Sequence, residues 1–214
     1  MKSIPRWCIS MSVVGSLIFL LGDRHDPFLW AYFVVFATVG LYGILSMDQD
    51  LIKERFTPPS SGADRLSLRW VRIIAAIHIL VGLLDSRFEW TTVSAAARVI
   101  GLAGFALGFL LVVQSIRSNR FFSAVVRIQD DRGHHVVQEG PYSIIRHPGY
   151  AGMIPAIPFS GLALGSWLAV GVALIYAILI LRRVVFEDQF LQENLPGYQA
   201  YAGRVRYRLV PGVW

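Results

Sequence analysis

Arg146, His147, Pro148, Gly149 and Tyr150 stand together at the head of a long apolar run, with Tyr142 just before them and Arg182, Arg183, Glu187 and Asp188 just beyond the run's far end. Proline is tolerated in a first helical turn, where its missing N–H is not needed, so Pro148 places His147 beside a helix N-terminus. An anion docking there meets unpaired backbone N–H groups, the positive end of the helix dipole and Arg146. Read alone, Arg146 and His147 are as well explained as side chains snorkelling to lipid headgroups, and Arg183 with Glu187 as a solvated i,i+4 ion pair. Their company favours a site: a helical hairpin returns the chain to the level it left, so the two clusters can face each other and grip a charged molecule beside lipid.

The elements that must position these residues are membrane helices. Of the 214 residues 55% are hydrophobic and the mean hydropathy is +0.53, above the apolar share of ordinary soluble domains. Candidate spans lie at 7–22, 28–47, 70–84, 94–113, 150–165 and 166–181. Several are short for a bilayer core, and Arg72 and His78 interrupt the third. The expected fold is therefore an all-α, polytopic transmembrane bundle of about six spans, with five as the alternative. His78 is expected to pack within its span.

Charge placement sets the orientation, because short cytoplasmic loops collect Lys and Arg. With the N-terminus inside, all but Arg24, Arg87 and Arg98 of the 20 basic residues fall on the inner side. The net charge of +6 is thus an inner-face property, suited to anionic headgroups and not to nucleic acid. Both termini are expected on the cytoplasmic side. No small-x-small cleavage site precedes Asp23, so the first span reads as retained and not as a cleaved leader. The lone Cys8 permits no intrachain disulfide.

Two regions follow: N-terminal transmembrane helices over 1–113, and a catalytic region over 114–214 comprising a cytoplasmic cap, the last hairpin and a C-terminal helix. Between the second and third spans, 57–62 reads as a surface loop. Gly101, Gly104 and Gly108 lie on one helix face and are read as close-packing positions. In the cap, Val136 and Val137 read as an extended patch against the bilayer surface, and Tyr198, Tyr201, Tyr207 and Trp214 as interfacial anchors. His134, His135 and His147 lack the spacing of a metal site, and none is expected. No dinucleotide fingerprint, P-loop or nucleophile elbow is present.

Taken in order, Gly140-Pro141-Tyr142, Arg146-His147-Pro148-x-Tyr150-x-Gly152, the apolar hairpin, Glu187-Asp188-x-x-Leu191 and Gly197-Tyr198-x-x-Tyr201 resemble the isoprenylcysteine carboxyl methyltransferase family, over roughly 127–214. The resemblance implies S-adenosylmethionine held by His134, His135, Val136, Val137, Tyr142, Arg146, His147, Pro148, Gly149, Tyr150 and Glu187. It assigns catalytic roles to Arg183 and Glu187, with Arg183 addressing the methyl acceptor. An amide side chain that the family usually carries upstream falls near Arg127, and Asp188 replaces the second acid of a Glu-Glu pair. The implied partners are membrane lipids and a lipophilic or lipidated acceptor bearing a carboxylate, thiol or amine; prenylcysteine is one candidate. Two other readings stand beside this one: a membrane reductase of related fold using a nicotinamide cofactor, and a non-enzymatic lipid-binding protein. Neither the acceptor nor an oligomeric state is legible.

Overall fold

The computed structural model describes residues 3–47, 49–56 and 63–214; the breaker expected as a loop at 57–62 lies outside them. The described residues form helices α1 (Ser3–Leu21), α2 (Pro27–Leu45), α3 (Gln49–Phe56), α4 (Arg65–Phe88), α5 (Ala95–Ser118), α6 (Pro148–Ala163), α7 (Trp167–Asn194) and α8 (Tyr198–Arg204), with short 3-10 turns at Asp130–Arg132 and Gly140–Ser143. Among them there is no strand. Five helices, α1, α2, α4, α5 and α7, are long and apolar enough to cross a membrane. The segment expected as the fifth of six spans is α6, whose 16 residues reach only about 24 Å at the α-helical rise.

Short as it is, α6 lies at the centre of the bundle, antiparallel to α5 and wedged between α5 and α7. The expected small-residue face makes this possible. A Cβ on Gly101 would lie 2.5 Å from the Ala163 backbone nitrogen, one on Gly104 would lie 2.4 Å from the Phe159 ring, and one on Gly108 would lie 2.8 Å from the Gly152 carbonyl oxygen. Gly152 of α6 answers from the other side, its missing Cβ 2.5 Å from the Gly108 carbonyl oxygen. Backbone cannot retreat as a side chain does, so Gly152→Ala should destabilise the fold by about 1–3 kcal/mol. Gly171 of α7 has open space around it, and Gly171→Ala is the neutral control when thermal unfolding midpoints are compared in detergent.

Polar groups lock the end of the bundle remote from the cap. His78 packs within α4 as expected, Nδ1 2.9 Å from the Ala169 carbonyl and Nε2 2.6 Å from Ser160 Oγ. Fully buried Asp85 accepts from the Thr91 amide and hydroxyl and from Ser166 Oγ. Arg98 joins Asp26 to the Ala163 carbonyl. Every buried polar group here has a partner, which an apolar surround demands.

Candidate functional site

The other end of the bundle holds the cavity. Pro148 opens α6, and the amides just before it are taken by the C-terminal tail: Arg146 N–H donates to the Tyr207 carbonyl and His147 N–H to the Arg208 carbonyl, each at 2.9 Å. The tail is thus a strap across the start of α6. Behind it, α7 runs unbroken past the expected end of its span at 181 to Asn194, so Arg183, Glu187 and Asp188 ride on one rigid helix. Gly197, with φ of 84°, then turns the chain into α8. Only glycine adopts that conformation freely.

Adjacent residues on a helix point about 100° apart, and Glu187 and Asp188 divide accordingly. Asp188 is fully buried and faces inward. Its carboxylate accepts from Arg146 Nε at 2.8 Å and Nη2 at 3.1 Å, His147 Nε2 at 3.1 Å, Tyr198 Oη at 3.1 Å, Gln192 Nε2 at 2.9 Å and Arg208 Nε at 2.8 Å. Arg146 spends its remaining donor, Nη1, on the Val205 and Arg206 carbonyls. Contrary to the expectation of an anion contact, then, its guanidinium is engaged by the protein itself. Asp188, Tyr198 and Arg208 form a hub that sequence reasoning missed, because their convergence depends on the fold of the tail.

Glu187 faces the cavity. Tyr150 Oη donates to its Oε2 at 2.6 Å, while His147 Nδ1 stands 3.9 Å from Oε1. Arg183 does not pair with Glu187 directly. Its Nε donates to the same Tyr150 hydroxyl at 2.8 Å, so one phenol bridges the i,i+4 pair.

The cavity measures about 450 Å³, within the range of roughly 300–1,000 Å³ usual for cofactor sites. One wall is apolar and belongs to the membrane helices: Leu68 and Val71 of α4, Met153 of α6, Tyr176 and Ile180 of α7, with Arg72 at its edge. The opposite wall is the cap and α8. Of the expected site residues, His134, His135, Val136, Val137, Tyr142, Arg146, His147, Gly149, Tyr150, Arg183 and Glu187 all line it; Pro148 is buried at the head of α6 and does not. Gly149 owes its size to packing as well, since a Cβ there would lie 2.6 Å from the Phe122 ring.

Two sequence expectations are corrected here. Val136 packs against Leu195, Tyr198 and Tyr201 instead of the bilayer surface. Tyr198 and Tyr201, read as interfacial anchors, are 4% and 1% exposed and line the cavity. Burial pushes the Tyr201 hydroxyl up to about 12, and it donates to the Tyr142 carbonyl at 2.7 Å. Their spacing on one face of a helix after a glycine turn was the available signal. Burial wins because α8 folds back under the cap.

Phe121 organises the cap. The His134 ring tilts over it at 4.6 Å and the His135 ring meets it edge-on at 4.9 Å. Arg127 lines the cavity with its guanidinium committed elsewhere, clamping the cap to α3 through two bonds to Glu54 and bonding Asp131 within the cap. The Arg127 guanidinium accordingly holds the Glu54 carboxyl below its ordinary value. An amide side chain does line the cavity nearby: Gln129, 1% exposed, which donates to the Phe121 carbonyl at 2.6 Å and receives Arg132 at 2.6 Å.

Burial, reinforced by neighbouring His135 and Arg127, pushes His134 down to about 4 from its ordinary 6.5. Since the folded value lies below the unfolded one, His134 leaves stability intact above pH 6.5 and erodes it as pH falls from there toward 4. Between pH 7.5 and 4.5 the unfolding midpoint of the wild type should fall further than that of His134→Asn; parallel curves would contradict the assignment.

Residues 96–196 match the Phospholipid methyltransferase family. The nickel-cobalt-cadmium resistance protein NccN of Alcaligenes xylosoxydans xylosoxydans is 26% identical over 136 residues, 62% of this chain and 59% of that protein. A probable protein-S-isoprenylcysteine O-methyltransferase of Oryza sativa subsp. indica is 29% identical over 119 residues, 55% of this chain and 61% of its own length. The chain thus spans about three fifths of these curated relatives. In fold it is similar to the eukaryotic intramembrane Ras methyltransferase ICMT (isoprenylcysteine carboxyl methyltransferase), with a TM-score of 0.66 and 18% identity over 97% of this chain and 74% of that one. The helices and their hydropathy define an all-helical integral membrane protein.

Proposed function

We propose that this chain is an S-adenosylmethionine-dependent methyltransferase that modifies a lipophilic acceptor reached from the bilayer, in a bacterial inner membrane with its cavity and both termini toward the cytoplasm. The observation that carries the reading is the position of Glu187. Its carboxylate lies in a cofactor-sized cavity with Tyr150 fixing one oxygen and the other left toward the cavity, between an aromatic cap and a wall of membrane helices.

The donor set suits that cofactor. Glu187 offers an anionic acceptor to an ammonium group, and the first-turn amides of α6 at Gly149 and Tyr150 offer donors to a carboxylate. Val136 and Val137 with the Phe121 and Tyr142 rings provide a flat apolar surface for a purine. Tyr150 and Tyr198 present ring faces of the kind that attract a cation. When bound, the cofactor supplies an electrophilic methyl on a sulfonium. The protein's own task is positioning and water exclusion rather than strong base catalysis. Arg146 and His147, held by Asp188, fix the cavity wall that they line, and Arg183 orients the acceptor from the lipid side.

The test is incubation of purified protein with methyl-labelled S-adenosylmethionine and a total membrane lipid extract, followed by identification of the labelled species. A labelled lipophilic product that disappears with Glu187→Gln is expected. Absence of binding to S-adenosylmethionine, with tight binding of a nicotinamide nucleotide, would overturn the proposal.

A further inference from the structure

Arg183 is held on three sides. Nε donates to Tyr150 and Nη2 to the Ala124 carbonyl at 2.6 Å, while Nη1 lies 3.1 Å from the carboxylate of Asp64. The third contact differs in kind. Arg183 Nη1 and Asp64 Oδ2 are both buried, yet neither has a hydrogen-bond partner among the described residues. Facing charged atoms that make no hydrogen bond recover little of the hydration they gave up, although the Ser67 hydroxyl also serves the Asp64 carboxyl. Burial raises the Asp64 carboxyl above its ordinary value, against the lowering influence of Arg183 and of the Ser67 hydroxyl, with Glu187 adding to the rise. Arg183, only 5% exposed, still lines the cavity.

Asp64 also has a second possible partner. It is the N-cap residue of α4, where an aspartate ordinarily accepts from the first-turn amides. Here its side chain makes no such bond. One carboxylate therefore has two alternative partners, the first-turn amides of its own helix and Arg183, and faces Arg183 while leaving the amides uncapped.

The geometry points to Asp64 as a resident counter-ion that sets acceptor specificity: it neutralises Arg183 until an acceptor bearing its own carboxylate or phosphate takes Nη1, and the released side chain turns back to cap α4. This deepens the methyltransferase reading and rests on it for the use made of the acceptor. A neutral amphiphile cannot displace Asp64, so the cavity discriminates by charge as well as by lipid character. The apparent affinity of an anionic acceptor is reduced by the fraction of molecules in which Asp64 holds Arg183.

Binding can be read without methyl transfer, by concentration-dependent crosslinking of diazirine-bearing palmitate and of the matching hexadecanol to the purified protein. Asp64→Asn keeps a capping side chain and loses the charge, and should crosslink palmitate at about tenfold lower concentration with hexadecanol unchanged. Arg183→Gln should abolish the gain. Asp64→Ser, which retains a capping hydroxyl, serves if the asparagine variant folds poorly. Palmitate bound no more tightly by either Asp64 variant, or an equal gain for hexadecanol, overturns the proposal. Calorimetric titration of S-adenosylhomocysteine into the same preparations keeps the two readings apart. Failure to bind it counts against the methyltransferase assignment, while the crosslinking still decides the role of Asp64.

Discussion

Replacing Asp188 by asparagine is expected to be the most damaging single-atom change in this protein. The carboxylate is fully buried and accepts from Arg146, His147, Arg208, Tyr198 and Gln192 at once. An amide of the same shape supplies no charge and turns one acceptor into a donor, leaving two arginines together without their anion. Breaking a buried ion pair from one side costs about 3–5 kcal/mol. The damage should be local as well as global. Arg208 and Arg146 tie the tail 205–208 over the start of α6, so Asp188→Asn should expose the bonds after Arg204, Arg206 and Arg208 to trypsin. A variant with wild-type midpoint and an equally protected tail would refute the hub.

Glu187→Gln is expected to do the opposite: leave the fold alone and remove the ligand. The side chain is 26% exposed, its bond to Tyr150 survives in a glutamine, and the unfolding midpoint should barely move. Loss of a charge-assisted contact worth about 1.5–3 kcal/mol predicts roughly 10- to 100-fold weaker binding of S-adenosylmethionine, read by calorimetry. S-adenosylhomocysteine, which keeps the ammonium, should lose as much. An analogue lacking the amino group should bind wild type and variant alike, and a loss shared by that analogue would show that Glu187 shapes the cavity without meeting the ammonium.

These adjacent acids mark the boundary of what could be read in advance. Both were legible as a carboxylate pair one hairpin beyond His147, since apolar runs of known length return a chain to the face it left. Which acid faces the cavity was not legible from the residues themselves; the resemblance named Glu187, and Glu187 lines the cavity while Asp188 does not. A helix separates neighbours by about 100°, but the direction of each depends on what packs around α7. The same limit applies to Arg146: its charge beside a helix start suggested a ligand contact, and only the tail, arriving from residues 205–208, shows that its donors are spent within the protein. Tyr198 and Tyr201 read as interfacial because aromatic residues near membrane helices usually are; α8 tucking under the cap buried them instead.

What the sequence by itself determined is the set of quantities that local physics controls. Hydropathy and run length made the helices, Pro148 began α6, Pro196-Gly197 separated α7 from α8, and Gly101, Gly104 and Gly108 allowed α6 to sit against α5. These follow from backbone sterics and from the cost of leaving polar groups in lipid, which act on each stretch wherever the rest of the chain goes. Tertiary structure alone decided the pairings of Asp188 with Arg208 and of Asp64 with Arg183, and with them the division of the site into residues that face the cavity and residues that hold its wall. Those pairings join segments far apart in sequence, and a carboxylate chooses among several cations by distance and burial, neither of which exists until the helices have packed.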